Sequence, residues 1–167
     1  DVCSSDLENN LSPNAVDAVI PIAKRLPVIT EYFIHGKAYI AKSVYENLSP
    51  YGLTESHVRY ILNSRTPVEN FWEKMQKSHA ILENINLIFR DMDLRKQVWA
   101  ELRALGLCSV TASTPENIEI TSPLATKAKA LETLCALLGI EAEHVLAMGD
   151  SDNDLPMLEF AGIGVAM

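Results

Sequence analysis

The sequence predicts an α/β protein, and three features of it indicate this class. Stretches with apolar residues at helical spacing alternate with short apolar runs of strand length that are bounded by turn residues. After residue 123 the order is helix, strand, helix, strand, which is typical of a parallel sheet with crossover helices. An acidic turn, 150–154, follows the first of these strands, where such folds place their sites. We therefore expect one helix-and-strand unit over residues 8–122 and a parallel-sheet unit over residues 123–167.

Composition limits the classes of partner. The 167 residues carry a formal net charge of −8, with 48% hydrophobic and 22% charged residues. A broad negative charge disfavours nucleic acid and anionic membranes as partners, and no apolar run reaches the length of a membrane span. Three cysteines, an odd number without the spacing of zinc ligands, indicate reduced thiols. We therefore expect a cytoplasmic protein without nucleic-acid or membrane partners, and the sequence indicates no oligomeric state.

The first elements are a helix and a hairpin. Ser12 is a typical N-cap and Pro13 suits the first helical position, while Pro21 should kink the helix. The apolar run 28–34 predicts a strand, and the turn 35–37 predicts a hairpin that leads into a second strand.

Two helices and a β-α-β-β segment complete this region. The predicted ranges are helices from residue 54 to 62 and from after residue 67 through 75, a strand at 84–89, a helix at 91–105, and strands at 108–111 and 117–120. Because Ile85, Leu87 and Phe89 alternate along the first of these strands, one face of it should be buried. We expect a half-open sheet with helices on one side.

The C-terminal unit begins with a helix at 127–138 that Gly139 ends. A strand at 144–148, the acidic turn, a short helix through Leu158 and a last strand follow. This order places the acidic turn at the carboxyl end of a parallel strand.

Asp150 and Asp154 are candidate metal ligands. They lie four residues apart, one at the strand tip and one in the first turn of the next helix, so both can point into the same crevice. A hard cation such as Mg²⁺ prefers oxygen ligands and keeps several waters, so one or two carboxylates suffice. Asn153 can donate to a phosphate oxygen, and free N–H groups at the helix start favour an anion.

The acidic turn is open to two other interpretations. Asp150, Asp152 and Asp154 match the first ligand positions of an EF-hand, but Leu155 and Ala161 stand where that loop needs glycine and glutamate, so we exclude it. A helix cap with solvated carboxylates has no such contradiction. The spacing alone does not decide between a metal site and a solvated helix cap.

Lys127 stands at the start of a helix, where a positive charge opposes the helix dipole. A phosphate or carboxylate partner would explain it, and so would ordinary solvation of an isolated lysine. The residue by itself does not separate these alternatives.

Together these motifs resemble the haloacid dehalogenase-like phosphatase superfamily, in its Cof-type sugar-phosphatase branch. The resemblance covers residues 117–167 and depends on several segments in the expected order. They are Asn117-Ile-Glu-Ile-Thr-Ser-Pro123, Lys127-Ala128 with Ala130-Leu131, Leu138-Gly139-Ile140, Met148-Gly-Asp-Ser-Asp-Asn-Asp154, and Ala161-Gly-Ile-Gly-Val-Ala-Met167. Alanine replaces the usual glycine after the lysine. Residues 8–122 resemble the branch's α/β cap domain, and 123–167 the C-terminal part of its Rossmann-like parallel-sheet core.

The resemblance implies Mg²⁺-dependent hydrolysis of a small phosphorylated metabolite, such as a sugar phosphate, through an aspartyl-phosphate. It implies that Asp150 binds the metal and that Asp154 supports the metal or orients its waters. It also implies that Lys127 is catalytic, binding the transferring phosphoryl group, and that Asn153 contacts phosphate.

One departure from the family pattern limits these implications. The nucleophile motif of the family, Asp-x-Asp-Gly-Thr, is missing from the sequence. Residues 1–7 match the translation of a sequencing adapter, and we exclude them as a scar. We therefore expect a fragment that is inactive alone. The alternative is a non-catalytic α/β module that binds a ligand or partner and keeps a vestigial metal site.

The cap-like region offers weaker candidates. The candidates to face a substrate are Tyr32, His35, Tyr39, His57 and Trp72, although aromatic residues at such spacing commonly pack in a core or a hairpin. Glu119 either approaches the site or forms a salt bridge on a strand face.

Overall fold

The computed structural model describes residues 9–167, so the predicted scar at 1–7 lies outside the described residues. Within this range the chain forms a six-stranded sheet and a two-stranded parallel sheet, both flanked by helices. This is the α/β class that the sequence predicts. The boundary predicted at residue 123 falls between the two sheets and stays a prediction as a domain boundary.

The elements have the following bounds. The helices are α1 Pro13–Lys24, α2 Lys42–Tyr45, α3 Glu55–Ser64, α4 Phe71–Lys77, α5 Met92–Ala104, α6 Lys127–Leu138 and α7 Leu155–Phe160. The strands are β1 Ile29–Ile34, β2 Lys37–Ala41, β3 Arg65–Val68, β4 Asn84–Ile88, β5 Ser109–Thr111, β6 Asn117–Thr121, β7 Leu146–Gly149 and β8 Ile163–Ala166.

The six-stranded sheet has the order β3-β2-β1-β4-β6-β5, and every neighbouring pair is antiparallel except β2 and β3. Its first face packs on α1, α4 and α5 and forms the main core. Fully buried members of this core include Val19, Met75, Ile85, Leu87, Leu102, Ile118 and Ile120. The alternation predicted for the strand 84–89 therefore points its apolar residues into this core.

The second face of the six-stranded sheet is divided into two halves. One half carries Ile29, Ile40 and Ile88, which pack with Ile61 of α3 and with Leu48. The other half carries polar side chains. The expectation of helices on one side of the sheet is wrong, because α3 has an apolar stripe of its own and covers part of the second face.

Local sequence signals explain the first elements. Ser12 Oγ accepts a hydrogen bond from the Ala15 N–H at the start of α1, as an N-cap should. His35 and Gly36 have φ values of 48° and 70°, the two positive angles that a tight type I′ hairpin turn requires. The β1–β2 hairpin was thus correctly predicted.

The sequence does not predict strand β3, because Thr66-Pro67 indicates the approach to a helix. Proline cannot donate a backbone hydrogen bond, which normally argues against a strand. Within the described part of the chain β3 is an edge strand whose one partner is β2, so Pro67 is tolerated there. Helix α4 then begins at Phe71.

The second unit is small and has one parallel pair. β7 and β8 pair with each other in parallel and are connected by α7, and α6 packs against α7. Several large apolar side chains of this unit are exposed, with Leu137 at 74% and Met148 at 56% of their possible surface. No helix in the described range is long and apolar enough to cross a membrane.

Candidate functional site

Two separate elements bring Lys127 and Asp154 together. Lys127 is the first residue of α6, which Thr126 caps by accepting a hydrogen bond from the Lys129 N–H. Asp154 ends the short 3₁₀ turn that follows β7. The Lys127 Nζ donates to Asp154 Oδ1 and lies 3.4 Å from Asn153 Oδ1. Asp154 is thus the carboxylate partner that would explain a lysine at the start of a helix.

The carboxylate of Asp154 is held from both sides. Its Oδ2 accepts hydrogen bonds from the backbone N–H groups of Asp150 at 3.1 Å and Ser151 at 3.2 Å, while Oδ1 accepts from Lys127. The side chain is only 6% exposed. The hydrogen bond from Lys127 lowers the pKa of Asp154; burial opposes this shift and the two backbone N–H groups reinforce it. Asp154 is therefore a fixed, ionised anchor for the lysine.

Gly149 gives Asp154 the space it occupies. A Cβ atom at this position would lie 2.4 Å from the Cβ of Asp154 and 2.7 Å from its Oδ2. No side chain fits at such distances, so the close approach requires glycine at the end of β7.

Asp150 is exposed and differs from Asp154 in its bonding. Its Oδ1 accepts a hydrogen bond from Ser151 Oγ at 3.2 Å, and none of its described contacts is an ion pair. A carboxylate of this kind suits a hard cation that keeps most of its waters. The described residues include no group of three or more His, Cys, Asp or Glu side chains placed to hold a metal. The donor set thus fits a cation with one protein carboxylate and further ligands from water or phosphate.

The structure brings all four sequence-predicted site residues into one cluster. Lys127 contacts Asp154, Asp154 contacts the backbone of Asp150, and Asn153 lies beside the Lys127 ammonium. We call this group of four residues the lysine–aspartate cluster.

The aromatic candidates of the first unit divide into two groups. Tyr32 is buried and stacks on Tyr39 with ring centroids 5.1 Å apart, and Trp72 meets Phe71 edge to face at 5.0 Å. These residues pack in or against the main core. His57 instead lines a cleft on the second face of the six-stranded sheet.

Sequence reasoning missed a buried polar network on the floor of that cleft. Glu31 is fully buried and binds Arg65 through two hydrogen bonds, at 2.7 Å from Nε and 3.0 Å from Nη2. Asn86 Nδ2 donates to Glu31 Oε2, and Asn117 Nδ2 donates to Asn86 Oδ1. Burial is the largest single effect and lowers the pKa of Arg65, but the hydrogen bonds and charge of Glu31, together with the effect of Tyr60, raise that pKa overall. The sequence signal was the alternation of polar and apolar residues in two strands, Asn84-Ile85-Asn86 of β4 and Asn117-Ile118-Glu119 of β6, whereas Glu31 is the one charged residue of β1.

Glu119, expected either to approach the site or to form a salt bridge on a strand face, forms hydrogen bonds with polar neighbours. Its Oε1 accepts from Ser113 Oγ at 2.6 Å and from Asn117 Nδ2 at 3.2 Å. Glu119 therefore extends the buried network to the rim of the cleft.

Comparison with known proteins places the chain among hydrolases. The sequence profile of the haloacid dehalogenase-like hydrolases matches residues 5–167. The 5-amino-6-(5-phospho-D-ribitylamino)uracil phosphatase YcsE of Bacillus subtilis (strain 168) is 46% identical over 77 residues, which are 46% of this chain and 31% of that protein. The chain thus matches about a third of the length of this relative.

Solved structures share the fold over nearly the whole chain. A haloacid dehalogenase-like hydrolase from B. subtilis superposes with a TM-score of 0.74 at 22% identity, over 95% of this chain and 61% of that one. The HAD subclass IIB sugar phosphatase BT4131 superposes with a TM-score of 0.71 at 18% identity, over 95% of this chain and 56% of that one. At these identities the likeness shows the fold.

Proposed function

The chain belongs to the haloacid dehalogenase-like hydrolase family, and from this we propose that it is part of a Mg²⁺-dependent phosphatase. The substrates would be phosphate monoesters of small metabolites, such as sugar phosphates. The observation that carries the proposal is the lysine–aspartate cluster at the carboxyl end of β7.

Lys127 is suited to bind a phosphoryl group. Its ammonium has three N–H donors, of which one is directed to Asp154 and one toward Asn153, and its side chain is 51% exposed. The remaining donor is free for a phosphoryl oxygen. Because phosphoryl transfer depends on positioning and on stabilising the equatorial oxygens, a lysine held in place by a buried carboxylate is well suited to it.

Asp150 and Asn153 would complete the phosphate site. Asp150 would hold Mg²⁺, which when bound neutralises charge on the phosphoryl oxygens. Asn153 turns its Oδ1 toward Lys127, so its amide nitrogen is available to donate to a phosphate oxygen. In this proposal Asp154 acts as the positioning residue of the cluster and does not itself need to touch the metal.

The nucleophile is expected outside these 167 residues. The resemblance implies an Asp-x-Asp-Gly-Thr motif, which the sequence does not contain. We therefore expect no turnover from this chain alone and turnover from a full-length protein that carries the motif.

A non-catalytic ligand-binding module with a vestigial metal site is the second candidate. One observation favours it, namely that no three His, Cys, Asp or Glu side chains among residues 9–167 are placed to hold one metal ion together.

The test is hydrolysis of p-nitrophenyl phosphate by the full-length protein, with Mg²⁺ and with the metal removed by a chelator. Asp150→Asn should reduce kcat/KM at least about a hundredfold, the scale for losing a charge-stabilising group. Asp152→Asn, an exposed acid two residues away, is the matched control and should stay within about twofold.

A parallel pair of variants tests the lysine. Lys127→Ala should abolish turnover, whereas Lys129→Ala, whose lysine pairs on the surface with Glu132, should not. An inactive full-length protein, or equal rates for the Asp150 and Asp152 variants, would favour the non-catalytic module.

A further inference from the structure

We propose that Ser151 is a positioning residue, which orients the carboxylate of Asp150 for the metal ion. This role rests on the proposed function, because it takes Asp150 as the carboxylate that would hold Mg²⁺. Ser151 itself is neither a metal ligand nor a phosphate contact in that function. It follows Asp150 directly in the turn after β7, and it bonds to Asp150 through its side chain and to Asp154 through its backbone.

The backbone of Ser151 serves Asp154. Its N–H donates to Asp154 Oδ2 at 3.2 Å, and its carbonyl oxygen accepts from the Asp154 N–H at 2.9 Å. The φ and ψ angles of Ser151 are −128° and 157°, an extended conformation that alanine, valine and threonine also adopt. A change of the side chain at this position therefore leaves the support of Asp154, and its contact with Lys127, in place.

The side chain of Ser151 serves Asp150. Its Oγ lies 3.2 Å from Asp150 Oδ1, and the hydroxyl is the donor because an ionised carboxylate can only accept. Among residues 9–167 this is the one side-chain hydrogen bond that the Asp150 carboxylate makes, and Oδ2 accepts none. Asp150 thus has one oxygen fixed by a neighbour and the other open to a cation.

An exposed carboxylate gains from such a neighbour. Without the bond from Ser151, the Asp150 side chain would rotate in water and lose that freedom when a cation binds. Fixing a ligand beforehand removes part of this cost. The described residues offer no group of three side chains that would hold a cation together, so the orientation of this one carboxylate matters more. Loss of an outer hydrogen-bond partner commonly weakens metal binding about 10–100-fold.

A structural role for Ser151 makes a different prediction. Serine is common at the start of helical turns, and Ser151 precedes the 3₁₀ turn Asp152–Asp154. If it only stabilised this turn, its loss would lower the free energy of unfolding and leave the affinity for metal unchanged. The two roles therefore separate in a measurement of metal affinity.

The experiment is a titration of the full-length protein with Mn²⁺, which prefers the same oxygen ligands as Mg²⁺. Electron paramagnetic resonance follows the free Mn²⁺, and no substrate is present. Ser151→Ala should raise the Kd for Mn²⁺ at least about tenfold, whereas Ser151→Thr, which keeps the hydroxyl, should stay within about threefold. Thr133→Ala is the matched control, because it removes a hydroxyl of α6 that donates to the Lys129 carbonyl oxygen, and it should leave the Kd unchanged.

A second pair of variants tests whether Ser151 acts through Asp150. In a protein that already carries Asp150→Asn, Ser151→Ala should change the Kd less than about twofold, because no carboxylate remains to be oriented. If Ser151→Ala does not fold, Ser151→Val is compared with Ser151→Thr, since these side chains have the same shape with and without the hydroxyl.

Three results would overturn the proposal. The first is an unchanged Kd when the hydroxyl is removed. The second is an equal loss of affinity with and without Asp150→Asn. The third is an unaltered protein that does not bind Mn²⁺. Hydrolysis of p-nitrophenyl phosphate tests the proposed function separately. A full-length protein that binds Mn²⁺ and hydrolyses nothing would contradict the phosphatase, while the Ser151 variants would still decide the role of Ser151.

Discussion

Replacing Arg65 with leucine should destabilise the six-stranded unit strongly. The variant leaves the carboxylate of Glu31, which is fully buried, with Asn86 as its remaining described side-chain donor. Breaking a buried ion pair by removing one partner costs about 3–5 kcal/mol, because the other charge stays buried and uncompensated. Arg65 donates two hydrogen bonds to Glu31 and its side chain is only 7% exposed, so this pair is a buried ion pair.

The measurement is urea unfolding at pH 7, followed by the fluorescence of Trp72 and Trp99, both of which pack against the main core. We expect the free energy of unfolding to fall by about 4 kcal/mol and the melting temperature by about 8–16 °C. The double variant Glu31→Leu with Arg65→Leu should recover most of this loss, because it removes both buried charges, although Asn86 loses an acceptor.

The exposed pair Arg59–Glu55 on α3 provides the control. Its side chains are 70% and 86% exposed, so Arg59→Leu should change the free energy of unfolding by no more than about 0.5 kcal/mol. If Arg65→Leu cost less than about 1 kcal/mol, or if the double variant were as unstable as the single one, the reasoning from burial would be refuted.

Three further predictions concern the lysine–aspartate cluster and its supports. Gly149→Ala should displace Asp154 and reduce phosphatase kcat/KM of the full-length protein at least about a hundredfold, whereas Ala161→Gly, at a half-buried position, should not; equal rates would show that Asp154 is not held as described. Because Lys127 lowers the pKa of Asp154, this carboxylate adds stability above its unfolded pKa of about 3.9, and that stability is lost as the pH falls through the lower folded pKa. In urea unfolding from pH 7 to 3, Lys127→Met should therefore lose less of its free energy of unfolding than the unaltered protein does. Parallel curves for the two proteins would contradict the pairing. Thr126→Ala removes the cap of α6 and should cost about 1 kcal/mol in the same assay, with Thr126→Ser retaining most of the stability.

Local signals were sufficient for much of the fold. The N-cap at Ser12, the hairpin turn at 35–37 and the end of α6 at Gly139 each depend on residues that are neighbours in sequence. The C-terminal order of α6, β7, α7 and β8 follows from the same kind of signal. These elements lie within a few residues of their predicted bounds.

Features that depend on distant partners could not be predicted. β3 is a strand because β2 offers a free edge, and Pro67 is acceptable because no strand among residues 9–167 pairs with the other edge of β3. Glu31 of β1 can be buried because Arg65 of β3, two strands away in the sheet, pairs with its carboxylate. A single sequence contains the residue types but not these pairings.

The candidate site shows the same division. The sequence was sufficient to select Lys127, Asp150, Asn153 and Asp154. The difference between the two aspartates depends on the missing side chain of Gly149, which lets Asp154 turn inward while Asp150 stays exposed. That division of roles is a three-dimensional property.

The strand order of the larger sheet has a consequence for biosynthesis. β1 and β4 are central neighbours, and Ile29 pairs with Ile88, so the middle of the sheet cannot close until residues far apart have both left the ribosome. The β1–β2 hairpin is local and can form first, but the edge of β1 that pairs with β4 stays open until β4 has been synthesised. Because non-local pairing slows folding, the nascent chain keeps this strand edge open during that interval, and chaperone binding should concentrate there.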